Sequence, residues 1–519
     1  MGIFKTYFDT QQVTLLIFSG VFTLLSIYFF EYKKQVRIAL VFLLLVAITI
    51  RIFAALLDPF FNLWDEQYHA LVAKSMMQNP FKPMLYTNPI LPYDSANWTC
   101  NHIWLHKQPL FLWQIALSFK AFGISPFTFR LPGIIMMAVL TYFVYDSANC
   151  LFNKRVAFYS ALLVSFSNYQ LLLLAGSITT DQNDIAFMFY ITASFWAYFR
   201  YLKQNKRKWA IFTGIFSGMA VLNKWLPGLM IFEIWFAYAI FSKQFSRKSI
   251  FDFLLAVFVA FVIFVPWQIY ILNAFPAESH FEYALNHAHF TDVIEGHGGS
   301  FWYHFQAIED LYGVVFRALI PLSLIVSYFT IKNKNLYISI LLLIISVYLF
   351  YSIARTKMPA FTFILSPIIF ILVANTLVSS FGKLENVLKY NRRITKAMLT
   401  GCVVVLLLLT LNIEKIQAYH TSWKPFFKWW RNERLNPCKL VENISYQKLG
   451  KNTVVFNTKI NENIVIMLLS ECTAYSFIPS QEQINEIKNS KYNIIILDDG
   501  HLPVYISEAT YLRKFNVNY

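Results

Sequence analysis

The sequence predicts a mostly α-helical, polytopic membrane bundle followed by a small α/β domain. Three observations lead there. Only 14% of the residues are charged and 57% are hydrophobic, whereas soluble globular chains carry about 25% charged residues. Apolar runs long enough to cross a bilayer, roughly 17–25 residues each, recur from residue 12 to residue 413. Beyond residue 414 the charge rises, and short strand-like runs alternate with helical patterns.

The apolar runs fall at 12–30, 36–56, 131–151, 156–175, 185–202, 209–225, 226–242, 251–271, 311–331, 336–353, 360–380 and 396–413. That is about twelve spans. The segment 109–122 is shorter and carries Lys120, which places it in the interface or in the protein core. No small-residue cleavage site follows the first run, so it is read as a span and not as a signal peptide. Aromatic residues make up 18% of the chain, in keeping with belts of Trp and Tyr at the two interfaces.

Loop charges give the orientation. One set of loops holds Lys33, Lys34 and Arg37; Lys154 and Arg155; Lys203, Lys206, Arg207 and Lys208; Lys243, Arg247 and Lys248; Lys332 and Lys334; and Lys383, Lys389, Arg392, Arg393 and Lys396. By the positive-inside rule these face the cytoplasm. Loops 57–108 and 272–310 then face outward, as do both termini. Loop 272–310 has no Lys or Arg but carries Glu278, Glu282, Asp292, Glu295, Glu309 and Asp310, and all ten histidines fall on the outer side. The net charge of +16 does not point to nucleic acid, because the basic residues lie in short clusters between apolar runs and no DNA- or RNA-binding motif accompanies them.

The C-terminal segment 414–519 reads as a small extracytoplasmic α/β domain, distinct from the transmembrane domain 1–413. Its strands are expected at Thr453–Phe456 and Asn493–Leu497 and its helices at 461–470 and 480–489. It has no nucleotide-binding glycine loop. Of five cysteines, Cys438 and Cys472 lie in this domain, where a disulfide is permitted. No pair has metal-site spacing.

The chemistry centres on Leu63-Trp64-Asp65-Glu66-Gln67-Tyr68-His69-Ala70, directly after the run that ends near Leu57. Carboxylates held where a chain leaves the bilayer are costly near lipid and mark functional sites. Asp181, in Thr179-Thr180-Asp181-Gln182-Asn183-Asp184, is the second acidic signal; Asp184 reads as a cap of the following helix. Lys107, Arg130, Lys224, Arg317, Arg355 and Lys357 break the positive-inside pattern. Such cations either snorkel to headgroups or converge on a phosphate.

These segments also stand in a family-like order. Trp64-Asp65-Glu66-Gln67-Tyr68-His69 is followed by His106-Lys107-Gln108-Pro109-Leu110, Phe122-Gly123, Arg130-Leu131-Pro132, Thr180-Asp181, Leu222-Asn223-Lys224, Pro266-Trp267 and Lys357-Met358-Pro359. Over residues 50–375 this resembles the membrane glycosyltransferases of the protein O-mannosyltransferase and aminoarabinose (lipid A) transferase superfamily. The resemblance implies a type C glycosyltransferase fold with interfacial helices and an active site at the outer membrane surface. It implies a polyprenyl-phosphate sugar donor and a lipid, glycan or protein acceptor at the outer face of the cytoplasmic (inner) membrane. Carried over, Asp65 is the catalytic base with Glu66 beside it, Asp181 is the second catalytic aspartate, and Lys107 holds phosphate. His106, Arg130, Lys224, Arg317, Lys357 and Tyr68 complete the expected substrate and phosphate contacts. His106 stands where relatives often have Glu, and His287 lies near a family histidine. These two histidines either hold a divalent ion with a first-loop carboxylate or hydrogen-bond substrate and headgroups. No cofactor is required, because activation is stored in the lipid phosphate bond.

Two other readings use many of the same residues. A surface-polysaccharide polymerase or ligase shares the broad fold and differs in acceptor. A lipid-linked sugar transporter would place charges at mid-depth and show inverted repeats, whereas here the charges gather at one face and no inverted repeat is found.

Overall fold

The computed structural model describes residues 8–62, 64–178, 180–387, 392–413, 415–416, 449–459, 461–490 and 492–516. Lys389, His420 and Cys438 lie outside the described residues. The chain divides into two compact units. The first comprises Met1–Leu57, Arg130–Ala274 and Tyr283–Tyr419; the second comprises Asp58–Phe129, Phe275–Glu282 and His420–Tyr519.

Each of the twelve apolar runs falls on helix in the structure. Among the described residues, seven helices are long and apolar enough to cross a membrane, and nine spans result if each of two bent helix pairs counts as one. The chain is an integral membrane protein. The runs 185–202, 209–225 and 226–242 do not reach the same measure, so a count of about twelve is not attained by length and composition. The reason is visible in the helix Asp181–Gln204. It opens on Asp181, Gln182, Asn183 and Asp184, all buried, and most of its residues are buried. A helix walled by protein can carry polar groups that a lipid-facing one cannot.

Buried acids in the first unit neutralise several of the basic loop residues. Glu31, 1% exposed, accepts from Arg155 Nε at 2.6 Å and from the Tyr159 hydroxyl at 3.2 Å. Asp146 pairs with Arg200 and accepts from Trp196 Nε1 at 2.7 Å. Asp252 accepts from Arg207 Nε at 2.8 Å and from the Tyr201 hydroxyl at 3.2 Å. Removing one partner of such a pair strands a charge in a low dielectric.

The helix Arg207–Lys224 crosses Arg247–Ala274 closely because Gly214 and Gly218 face Ala256 and Ala260. Small residues let membrane helices approach to backbone contact.

The second unit contains a four-stranded parallel sheet in the order β2-β1-β3-β4, with β1 at Thr453–Phe456, β2 at Thr473–Ala474, β3 at Asn493–Asp498 and β4 at Arg513–Asn516. β1 is buried throughout, and Ile494 to Leu497 of β3 are buried, as parallel strands covered on both faces require. The helices Glu462–Leu469 and Gln481–Asn489 are the crossovers that parallel pairing needs. The second starts at a capping box of Ser480 and Gln483. Two strands and both helices coincide with the sequence expectation; β2 and β4 were not anticipated. Cys472 Sγ lies 3.0 Å from Ser470 Oγ, and burial pushes its thiol up to about 11.

A leucine at position 218 would place its Cβ 2.7 Å from the Ala260 carbonyl oxygen. Gly218→Leu is therefore expected to cost about 1–3 kcal/mol through overpacking. The check is a lowered thermal midpoint in detergent. Gly20→Leu, at a position with open space around it, should not lower the midpoint.

Candidate active site

The helix Asp65–Met76 places Asp65 and Glu66 in its first turn, where the helix dipole favours carboxylates. The two acids have different environments. Glu66 is 1% exposed, and its Oε2 accepts from the Asn62 amide at 2.8 Å, closing the loop that leads into the helix. Gln67 Nε2 donates to the Phe61 carbonyl at 3.1 Å and ties the same junction. Asp65 is half-buried, beside the exposed Trp64. His69 is fully buried between the rings of Trp104 and Phe111 and belongs to the core.

Lys107 is half-buried and precedes the helix Pro109–Phe122, whose first residue is proline. Among the described residues it makes no salt bridge. His106 lies flat on Trp98, ring centroids 4.4 Å apart, with its Nδ1 3.3 Å from Glu282 Oε2. Tyr68 meets Trp98 edge-on at 5.2 Å. Tyr93 stacks on His102 at 3.9 Å and donates its hydroxyl to Glu278. Burial pushes the Tyr93 phenol up to about 12, with Glu278 adding to the shift. Glu278 and Glu282, four residues apart on the helix Pro276–Thr291, thus face the first-loop aromatics within this unit. Their spacing in a loop without cations was the signal in the sequence.

The first unit holds the remaining expected residues. Asp181 is 1% exposed. Thr180 and Asp181 carry φ of 73° and 31°, a left-handed backbone that is an outlier for a β-branched residue. Asp184 accepts from the Thr180 hydroxyl and pairs with Lys224, whose ammonium also lies 5.2 Å from the Phe361 ring centroid. Lys357, 3% exposed, donates to the carbonyls of Tyr351 at 3.2 Å, Ser352 at 2.9 Å and Ala354, and so closes the end of the helix Lys334–Ile353. Arg130 is fully buried and donates to the Ala55 carbonyl at 2.9 Å. Arg317 pairs with Glu309 at 2.7 Å on the surface. Arg355 is exposed and, among the described residues, makes no salt bridge. The cations grouped by sequence as phosphate ligands therefore divide into engaged ones and two with charge to spare, Lys107 and Arg355.

His287 is exposed. Among the described residues no three His, Cys, Asp or Glu side chains gather as a metal site. His106 and Glu282 alone do not make one, so no step is routed through an ion.

Burial lowers the His102 imidazole to about 4, with Glu278 opposing. An unfolded histidine titrates near 6.5. Between those values the unfolded chain binds more protons than the folded one, so this group's contribution is present above pH 6.5 and is lost as pH falls toward 4. His102→Gln should flatten the fall in thermal midpoint between pH 7 and pH 4.5. An unchanged slope would show that His102 does not contribute.

Residues 106–270 match the dolichyl-phosphate-mannose-protein mannosyltransferase family. Undecaprenyl phosphate-alpha-4-amino-4-deoxy-L-arabinose arabinosyl transferase 2 of Proteus mirabilis (strain HI4320) is 26% identical over 280 residues, 51% of this chain and 49% of that protein. The chain thus spans about half the length of that curated relative. ArnT from Cupriavidus metallidurans, solved bound to undecaprenyl phosphate, superposes with a TM-score of 0.60 at 15% identity, covering 87% of this chain and 88% of that one. The archaeal oligosaccharyltransferase AglB from Archaeoglobus fulgidus, solved with an inhibitory peptide and a dolichol-phosphate, superposes with a TM-score of 0.54 at 14% identity, covering 86% and 64%. The likeness to both is a likeness of fold. Over residues 106–270, and in fold, the chain is thus similar to these membrane glycosyltransferases.

Proposed function

We propose that the chain transfers a sugar from a polyprenyl-phosphate donor to a lipid, glycan or protein acceptor at the outer face of the inner membrane. The observation that carries this reading is the half-buried Asp65 in the first turn of its helix, followed in the chain by Lys107 before a second helix start. Glu66 is buried and accepts from the Asn62 amide, and Asp65 is half-buried at the helix start. Asp65 is the base: it takes the proton from the acceptor hydroxyl or phosphate as the acceptor oxygen attacks the anomeric carbon. The bond from that carbon to the donor phosphate breaks, and the polyprenyl phosphate leaves with the electron pair. A single displacement inverts the anomeric centre, as in inverting glycosidases. The leaving phosphate needs a cation where charge develops. Lys107, a half-buried ammonium with charge to spare beside a helix N-terminus, suits that task. Asp181 is the second carboxylate of the reaction.

Asp65→Asn keeps size and removes basicity, so it is expected to lower turnover at least about 100-fold, the scale of a general base, while the folded yield is retained. Lys107→Ala is expected to raise the donor concentration needed for half-saturation more than Lys107→Arg does. Native turnover by the first variant, or unchanged donor dependence in both of the others, would remove these assignments.

The reading also fixes sidedness. In a background without other cysteines, Phe290→Cys and Lys451→Cys should react in intact cells with a thiol reagent that cannot cross the inner membrane. Lys206→Cys should not. The opposite pattern would put Asp65 in the cytoplasm and end the extracytoplasmic mechanism.

A further inference from the structure

The helix that begins at Asp65 is bound at two points by the C-terminal part of its own unit. Near its start the Tyr68 hydroxyl donates to Asn461 Oδ1 at 3.0 Å, and Tyr68 is 3% exposed. Near its end Lys74 Nζ donates to the carbonyls of Met467 at 2.9 Å, Leu468 at 3.0 Å and Ser470 at 2.5 Å, with the Glu471 carboxylate 3.5 Å away. Asn461 and Ser470 are the two caps of the helix Glu462–Leu469. The two helices therefore run side by side in the same direction, start joined to start and end to end. Lys74 supplies donors to the carbonyls that a helix C-terminus leaves unsatisfied.

The loop beyond is tied in the same way. The Ile90 and Leu91 amides donate to the Tyr475 hydroxyl at 3.2 and 3.1 Å. Thr473 Oγ1 donates to the Asn88 carbonyl at 2.7 Å, and Asn463 Nδ2 to the Tyr86 hydroxyl at 3.2 Å. Asn461, Asn463 and Tyr475 all lie beyond the carboxyl ends of β1 and β2. In open parallel sheets that edge is where ligands usually bind. Here the chain's own first outer loop takes the position.

We propose that the C-terminal α/β segment is a positioning element for the transfer reaction: it clamps the helix Asp65–Met76 through Tyr68–Asn461 and Lys74 so that Asp65 keeps its place. The proposal rests on the assignment of Asp65 as the base. Tyr68 and Lys74 are positioning residues under it, and Tyr68 acts through Asn461 and not on substrate. A base displaced by a fraction of an ångström loses rate without losing donor.

The test uses full-length protein in nanodiscs and the lipid extract of a deletion strain as the source of donor and acceptor. Product formation is followed by mass spectrometry over a titration of the extract, so that maximal rate and half-saturating amount are read separately. Tyr68→Phe and Asn461→Ala should each lower the maximal rate about two- to tenfold, the scale of one net hydrogen bond, with half-saturation unchanged. The double variant should be no slower than the slower single one. Lys74→Arg should keep more of the rate than Lys74→Met. A rise in half-saturation at constant maximal rate in Tyr68→Phe would make Tyr68 a substrate contact and overturn the proposal. Native rates in Tyr68→Phe, Asn461→Ala and Lys74→Met would overturn it as well, even with a lowered thermal midpoint. Native turnover in Asp65→Asn would instead overturn the base assignment, a result separate from the pattern among residues 68, 74 and 461.

Discussion

An ion carried into a low-dielectric helix bundle is costly unless it is paired where it stands, and that requirement accounts for the partners of several buried acids in this protein. Glu31 answers Arg155, Asp146 answers Arg200, Asp252 answers Arg207 and Asp184 answers Lys224. Lys357, with no carboxylate partner among the described residues, takes three backbone carbonyls. Lys107 and Arg355 keep spare charge among the described residues. A half-buried cation left unpaired in such a protein gives up favourable energy unless something anionic visits it. A lipid-linked phosphate is an anion that a membrane enzyme can present there.

The fold was legible where periodicity and hydropathy act locally. Each predicted apolar run is helical, and β1, β3 and their flanking helices lie where the alternation placed them. β2 was missed because it is two residues long, and β4 because Arg513-Lys514-Phe515-Asn516 carries two charges and reads as surface. The site was legible only as residue types. Nothing in Leu222-Asn223-Lys224 says that its lysine will meet an aspartate 40 positions earlier. Nor does Lys74 announce carbonyls more than 390 positions away. Those partners are set by tertiary packing, to which local pattern is blind. The same limit explains Glu66: both acids of the pair look alike in sequence, and the Asn62 amide that Glu66 accepts is set by the fold.

The turn before Asp181 shows what such packing is used for. Left-handed backbone at Thr180 and Asp181 costs of order 1–3 kcal/mol per residue and persists only where the surroundings over-determine it. Here the surroundings are specific. The Thr180 hydroxyl is held by Asp184, and Asp184 is held by Lys224. The ion pair therefore acts at one remove, as the anchor of a strained turn that sets where Asp181 begins its helix. This gives the lysine at the end of the helix Arg207–Lys224 a structural task. In this segment, as in Asp65-Glu66, one carboxylate helps to fix the backbone, Glu66 through the Asn62 amide and Asp184 through the Thr180 hydroxyl.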